Sequence, residues 1–302
     1  MEREKIAKYL SEDPAGPRCR SLRPDDLAGL VAGVKSVIYT SVTGAEDAAA
    51  MDALCADLGL KKVVLGRKTR VDGNRSNVDI LIGTDTRKLR AAERSYARLI
   101  GTEWGLALGY PECCVQAYVN WRNSRRRGDL VASIAANSPK GRPFSFLTNN
   151  VCNYYSLLFR PGDPKRYAAL LAANPDFDLG PVIPWHPCSY SCPRSLAAGL
   201  GIYRVLVHYM PTFAAGRRAQ LSKPVLFWDK FRFAVLNGTA SAGPEGGLTV
   251  DCRGVAGPRT LLARGTVDEL DRRSVLRFGR SGKLYGPGAP ALPPGYALLP
   301  FS

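Results

Sequence analysis

The feature that most restricts how this chain can fold is the placement of its cysteines, which form two clusters far apart in sequence, each next to a proline. Cys113 and Cys114 end the run Leu108-Gly-Tyr-Pro-Glu-Cys-Cys, and His186, Cys188 and Cys192 lie in Trp185-His-Pro-Cys-Ser-Tyr-Ser-Cys-Pro-Arg-Ser. Pro111 and Pro193 each read as the first residue of a helix, where the missing amide hydrogen costs nothing and the fixed φ already suits the helix. Cys113 and Cys114 then fall in a first helical turn and Cys192 at an N-cap. Unpaired amide groups and the positive helix end stabilise thiolate there, the form required for metal ligation, nucleophilic attack or redox exchange.

Successive helical residues diverge by about 100°, so Cys113 and Cys114 are expected to point to different sides. Cys114 shares a face with Ala117, Tyr118 and Trp121, and Cys113 shares one with Gln116 and Asn120. The spacing His-x-Cys-x-x-x-Cys suits zinc or iron, with Cys113 or Cys114 completing a four-ligand set. It lacks the paired Cys-x-x-Cys knuckles of common zinc sites, so a Cys188/Cys192 thiol–disulfide pair and plain loop packing stand beside the metal reading. Of the eight cysteines, Cys19, Cys55, Cys152 and Cys252 stand alone and read as small apolar packing groups.

The rest of the chain predicts a mixed α+β protein in three consecutive parts. Residues 1–103 form an α/β portion, with apolar runs at 34–41, 62–65 and 78–81, an Ala-rich helix at 45–58, and a helix from 87 capped by Asp85 or Thr86. Residues 104–222 form a helical middle carrying the Cys/His motifs, with helices at 114–122, 129–137, 164–173 and 194–210. Residues 223–302 break into short apolar runs at 225–227, 231–236, 248–250, 260–262, 275–278 and 296–299, separated by Gly and Pro, and predict an antiparallel β portion packed on the core. The stretches 239–247 and 286–295 read as mobile loops. At 302 residues with 45% hydrophobic content, the chain has material for more than one domain.

The first residues lack the apolar stretch of an export signal, and the longest apolar run, 196–210, is interrupted by Arg204 and His208. A cytoplasmic protein without a membrane span is therefore expected, and a disulfide framework is not. Lys and Arg number 42 against 26 Asp and Glu, a formal charge of +16, so an anionic partner is favoured: an acidic peptide, a small acid, or, less favoured, nucleic acid. Arg122 with Arg125, Arg126 and Arg127 is the densest basic run. Asn149, Asn150 and Arg194 are candidate substrate contacts, although the two asparagines equally suit helix capping. His208, among Val205, Leu206, Val207 and Tyr209, reads as a packed histidine. Nucleotide-binding glycine loops, a Gly-x-Ser-x-Gly elbow and His-Glu-x-x-His are all missing from the sequence, which removes weight from those reaction classes.

At Leu108–Cys114 and again at 187–195 the chain resembles an uncharacterised prokaryotic domain-of-unknown-function family marked by Leu-Gly-Tyr-Pro-x-Cys-Cys and Pro-Cys-Ser-x-x-Cys-x-x-Ser. The resemblance spans roughly residues 78–228 and implies that the two cysteine clusters form one site; it implies no activity. The functional expectation is a metal- or thiol-dependent enzyme acting on an anionic substrate. The alternatives are a non-catalytic peptide-binding protein of a modified-peptide pathway in bacteria and a nucleic-acid-binding protein.

Overall fold

The structure is a computed structural model. It describes residues 2–12, 21–69, 76–96, 101–124, 128–151, 180–229, 232–243, 246–255, 270, 272, 275–289, 292 and 295–302. The helix expected at 164–173, the run at 260–262, Phe231, Cys19, Cys152 and Arg125–127 lie outside them.

The described residues form a mixed α+β fold with two antiparallel sheets, as the sequence predicts. In chain order the elements are α1 (Glu2–Glu12), α2 (Pro24–Val31), β1 (Val37–Thr43), α3 (Gly44–Leu58), β2 (Lys61–Thr69), β3 (Ser76–Gly83), α4 (Thr86–Ser95), α5 (Thr102–Ala107), α6 (Glu112–Asn123) and α7 (Leu130–Ala136). After these come α8 (Pro193–Tyr209), α9 (Pro211–Leu221), β4 (Val225–Asp229), β5 (Arg232–Ala242), β6 (Leu248–Val255), β7 (Val275–Phe278), β8 (Leu284–Tyr285) and β9 (Ala297–Leu299). Two compact units emerge from the contacts. One gathers Met1–Ser124, Val182–His186 and Ala197–Gly216, and the other gathers Arg125–Pro181, Pro187–Leu196 and Arg217–Ser302.

The first unit is built on the sheet β1-β3-β2. Its central strand buries Ile80, Leu81 and Ile82 in succession, which requires cover on both faces. Helix α3 packs on all three strands, and α4 does the same. Leu89 and Ala92 of α4 join Val37, Leu81, Trp104 and Leu108 in one apolar cluster. Asp85 caps α4 as expected, its carboxylate accepting the backbone N–H of Arg87 at 2.8 Å and of Lys88 at 3.2 Å.

The second unit is built on the sheet β8-β7-β6-β5-β4-β9. Helix α7 packs on β4 and β9 with Leu130, Val131 and Ile134 buried. The chain end returns to this unit: the Phe144 amide donates to the Pro300 carbonyl at 2.8 Å and the Ser302 amide to the Phe144 carbonyl at 2.9 Å. Phe227, Trp228 and Phe233 are buried in this unit. One expectation fails here, since residues 239–242 of the supposed loop are strand. Thr239 pairs with Asp251 and Ala242 with Leu248. The register shifts between Leu236 and Gly238, and a Cβ on Gly238 would fall 1.6 Å from the Asp251 carbonyl oxygen. Gly238, between the expected run and the supposed loop, therefore marks a bulge within a long strand.

Candidate metal centre

The Leu-Gly-Tyr-Pro run works as a hinge between two helices. Leu108 is the C-cap of α5, and Gly109 follows at φ +84°, a left-handed position that a Cβ would strain. The Gly109 amide donates to the Leu106 carbonyl at 2.9 Å and the Tyr110 amide to Gly105 at 3.0 Å, the paired bonds of a Schellman ending. Pro111 is the N-cap of α6 rather than its first helical residue, and the amides of Cys114 and Val115 both reach its carbonyl. Cys113 and Cys114 accordingly occupy the first turn, as expected.

The second motif is also held from several sides. Pro193 opens α8, so Cys192 stands at the N-cap, and the Leu196 amide donates to its carbonyl at 2.9 Å. A turn with the Cys192 amide on the Ser189 carbonyl at 3.0 Å folds Cys188 back toward Cys192. Within that turn the Tyr190 amide donates to Ser138 Oγ at 2.9 Å, and the buried Thr148 hydroxyl donates to the Tyr190 carbonyl at 2.7 Å. The Tyr190 ring is fully buried against Phe144 and Phe301, with centroids 5.3 Å and 4.9 Å away.

The sulfurs of Cys113, Cys114, Cys188 and Cys192 all lie within 4.8 Å of one another. Those of Cys113 and Cys114 are 3.9 Å apart, which corrects the expectation that the two diverge. The helical 100° separates Cα–Cβ directions only. In a first turn no preceding turn blocks the side chains, so rotation about χ1 can bring both sulfurs to one place. Cys114 and Cys192 are buried, and Cys113 and Cys188 are half-buried. Four thiolates on one zinc ion at about 2.3 Å stand roughly 3.8 Å apart along the edges of a tetrahedron, so this spacing fits a single ion. Corners of a multi-iron cluster would hold the sulfurs farther apart, each bound to a different iron.

His186 is outside that group. Its ring stacks on Tyr118 at 6.1 Å with planes 8° apart, and burial pushes its pKa down to about 4, which keeps the imidazole neutral. The group that could hold a metal ion is thus Cys113, Cys114, Cys188 and Cys192. Tyr110 of the first motif meets Trp185, the residue before His186, at 5.3 Å. Tyr110, Tyr118, Trp185 and the hydroxyls of Ser138 and Thr148 were not among the expected site residues; the one available signal was that aromatic residues flank both motifs.

The other candidates separate clearly. Asn149 is buried, its amide donating to the Leu221 carbonyl at 2.8 Å and its oxygen accepting the Val151 amide at 3.2 Å. Both ends serve backbone groups, the kind of bond that the capping alternative calls for. Asn150 is fully buried, and Arg194 is exposed in the first turn of α8. His208 is exposed rather than packed, since it falls on the outer side of α8 whereas Ile202, Leu206 and Met210 point inward. Cys55 and Cys252 are buried packing groups, as expected. Among the described residues no helix is long and apolar enough to cross a membrane.

Comparison with known proteins gives no match of any kind: no family model, curated relative or solved structure resembles the chain.

Proposed function

We propose that the protein is a metal–thiolate protein in which Cys113, Cys114, Cys188 and Cys192 bind one zinc or iron ion, and that it serves an anionic ligand, a small acid or acidic peptide. The observation that supports the first part is the convergence of four thiols within 4.8 Å, with no carboxylate in the group. Three of the four, Cys113, Cys114 and Cys192, stand at positive helix ends, which favours the charged ligand form. Four thiolates close the coordination of a tetrahedral ion and leave no position for water, so the ion holds structure in this reading.

A catalytic reading needs one thiolate to give way. What supports it is the unequal burial of the set: Cys114 and Cys192 are buried while Cys113 and Cys188 face solvent in part. In that case exposed Arg194, two residues after Cys192, guides an anionic substrate. The support for an anionic ligand is the charge of +16.

The test is elemental analysis of anaerobically purified protein and of single Cys→Ser variants. One ion per chain is expected in the wild type. Serine at position 113, 114, 188 or 192 lowers the occupancy at least severalfold, whereas Cys55→Ser and Cys252→Ser leave it unchanged. Equal retention in all six variants contradicts the proposal.

A further inference from the structure

We infer that the first unit binds single-stranded nucleic acid on a strip of aromatic and basic side chains along α6, with bases stacking on Tyr118 and Trp121 and a phosphate held by Arg122. This goes beyond the small acid or acidic peptide proposed above and shares with it only the attraction of positive charge.

Helical spacing makes the strip. Tyr118, Trp121 and Arg122 stand three and four residues apart in α6 and so share one face, which runs from the cysteine turn to the last turn of the helix. Of the residues of α6 only Cys114 and Val115 are buried, so the rings of Tyr118 and Trp121 are left partly in water. Their centroids lie 5.9 Å apart with planes 36° apart. The His186 ring, from the second motif, extends the row 6.1 Å from Tyr118 and nearly parallel to it, and it too keeps some exposed surface. The chain has four tryptophans. Trp104, Trp185 and Trp228 are buried, whereas Trp121 is half-buried and offers ring surface to a ligand.

Arg122 supplies the charge. Its guanidinium reaches the Tyr118 hydroxyl at 3.5 Å, which keeps it beside the rings, and the sequence goes on to Arg125, Arg126 and Arg127. Ring faces beside a guanidinium suit a ligand that joins flat rings to anions, and every nucleotide is such a unit. A single strand is favoured over a duplex because its bases can leave their own stack and lie on protein rings. It is favoured over an acidic peptide because carboxylate side chains give the rings nothing to stack on. The formal charge of +16 draws either polyanion; the rings decide between them.

The experiment is a fluorescence-anisotropy titration of the full chain with labelled oligothymidylate and oligouridylate of about 12 nucleotides, a length within the site sizes of single-strand binders. The oligothymidylate annealed to its complement and a poly-glutamate peptide serve as competitors. The single strands are expected to bind, and the duplex and the peptide to compete at least tenfold more weakly. Tyr118→Leu and Trp121→Leu should each weaken the single strands about tenfold, the loss of one stacked base. Binding should quench tryptophan emission in the wild type and not in Trp121→Leu. Arg122→Gln should lower the slope of log affinity against log salt by about 0.7, the value of one phosphate contact on a single strand. Arg277→Gln, an equal charge change at an exposed β7 position of the second unit, should bind within twofold of the wild type. Thermal melts and metal content check that each variant keeps its fold; should Tyr118→Leu lose it, Trp121→Leu and Arg122→Gln carry the test. Failure of both single strands to bind, or binding that Trp121→Leu and Arg122→Gln leave unchanged, overturns the strip. If the peptide competes as well as the strands and the strip variants bind it like the wild type, the strip is overturned while the acidic-peptide reading stands.

Discussion

The Lys35 ammonium and the Asp26 carboxylate meet at 2.5 Å with almost no solvent contact, and Gly29 makes room for the lysine, since a Cβ there would touch its chain at 3.0 Å. Burial, the largest single influence on Asp26, pushes its carboxyl pKa up. The Lys35 and Arg23 charges and the Lys35 hydrogen bond outweigh it and leave the pKa below the usual 3.8. Asp26→Asn strands a buried charge and should cost about 3 kcal/mol in urea unfolding at pH 7. A carboxyl with a depressed folded pKa contributes stability above its unfolded value and loses it as pH falls further, so below about pH 4 the gap between wild type and variant should narrow. A variant as stable as the wild type at pH 7 would show that the pair contributes nothing. Nothing local in the sequence separates Asp26 and Lys35 from surface charges, because their burial is decided by how α2, which carries Asp26, packs in the unit. The cysteines differ in this respect. Their residue types and prolines made the candidate site legible, whereas the joint direction of Cys113 and Cys114 and the exclusion of His186 depended on rotamers and ring packing that no spacing reveals.

Elements were legible where periodicity and punctuation agree. Helix α8 starts at Pro193 as read, and β4 and β7 fall on the apolar runs at 225–227 and 275–278. Helices α1, α2, α5 and α9 were missed; α1 is charge-rich and keeps only Ile6, Ala7 and Leu10 inward, too sparse a stripe to stand out. Strand β5 was cut short because Gly238 and the small residues after it mimic a loop. That glycine gives an element-scale prediction: Gly238→Val drives a side chain into the Asp251 carbonyl and should destabilise the β5–β6 pairing by about 3 kcal/mol or more, read as a lower midpoint in thermal or urea unfolding. An unchanged midpoint would mean that β5 and β6 do not approach as described.

At the scale of the whole molecule, the mixed class and the presence of two sheets followed from the alternation of periodic segments. The membership of the two units did not, because long-range pairs set it: Phe144 binds the strand end at Pro300 and Ser302, and Asn149 holds the Leu221 carbonyl. The cysteine convergence is such a long-range fact too, and the metal reading depends on it. X-ray absorption at the metal edge of anaerobically purified protein tests that reading most directly. It should show one ion per chain with four sulfur neighbours at about 2.3 Å. Metal-free protein whose four thiols react freely, or an ion with nitrogen or oxygen among its neighbours, would contradict it.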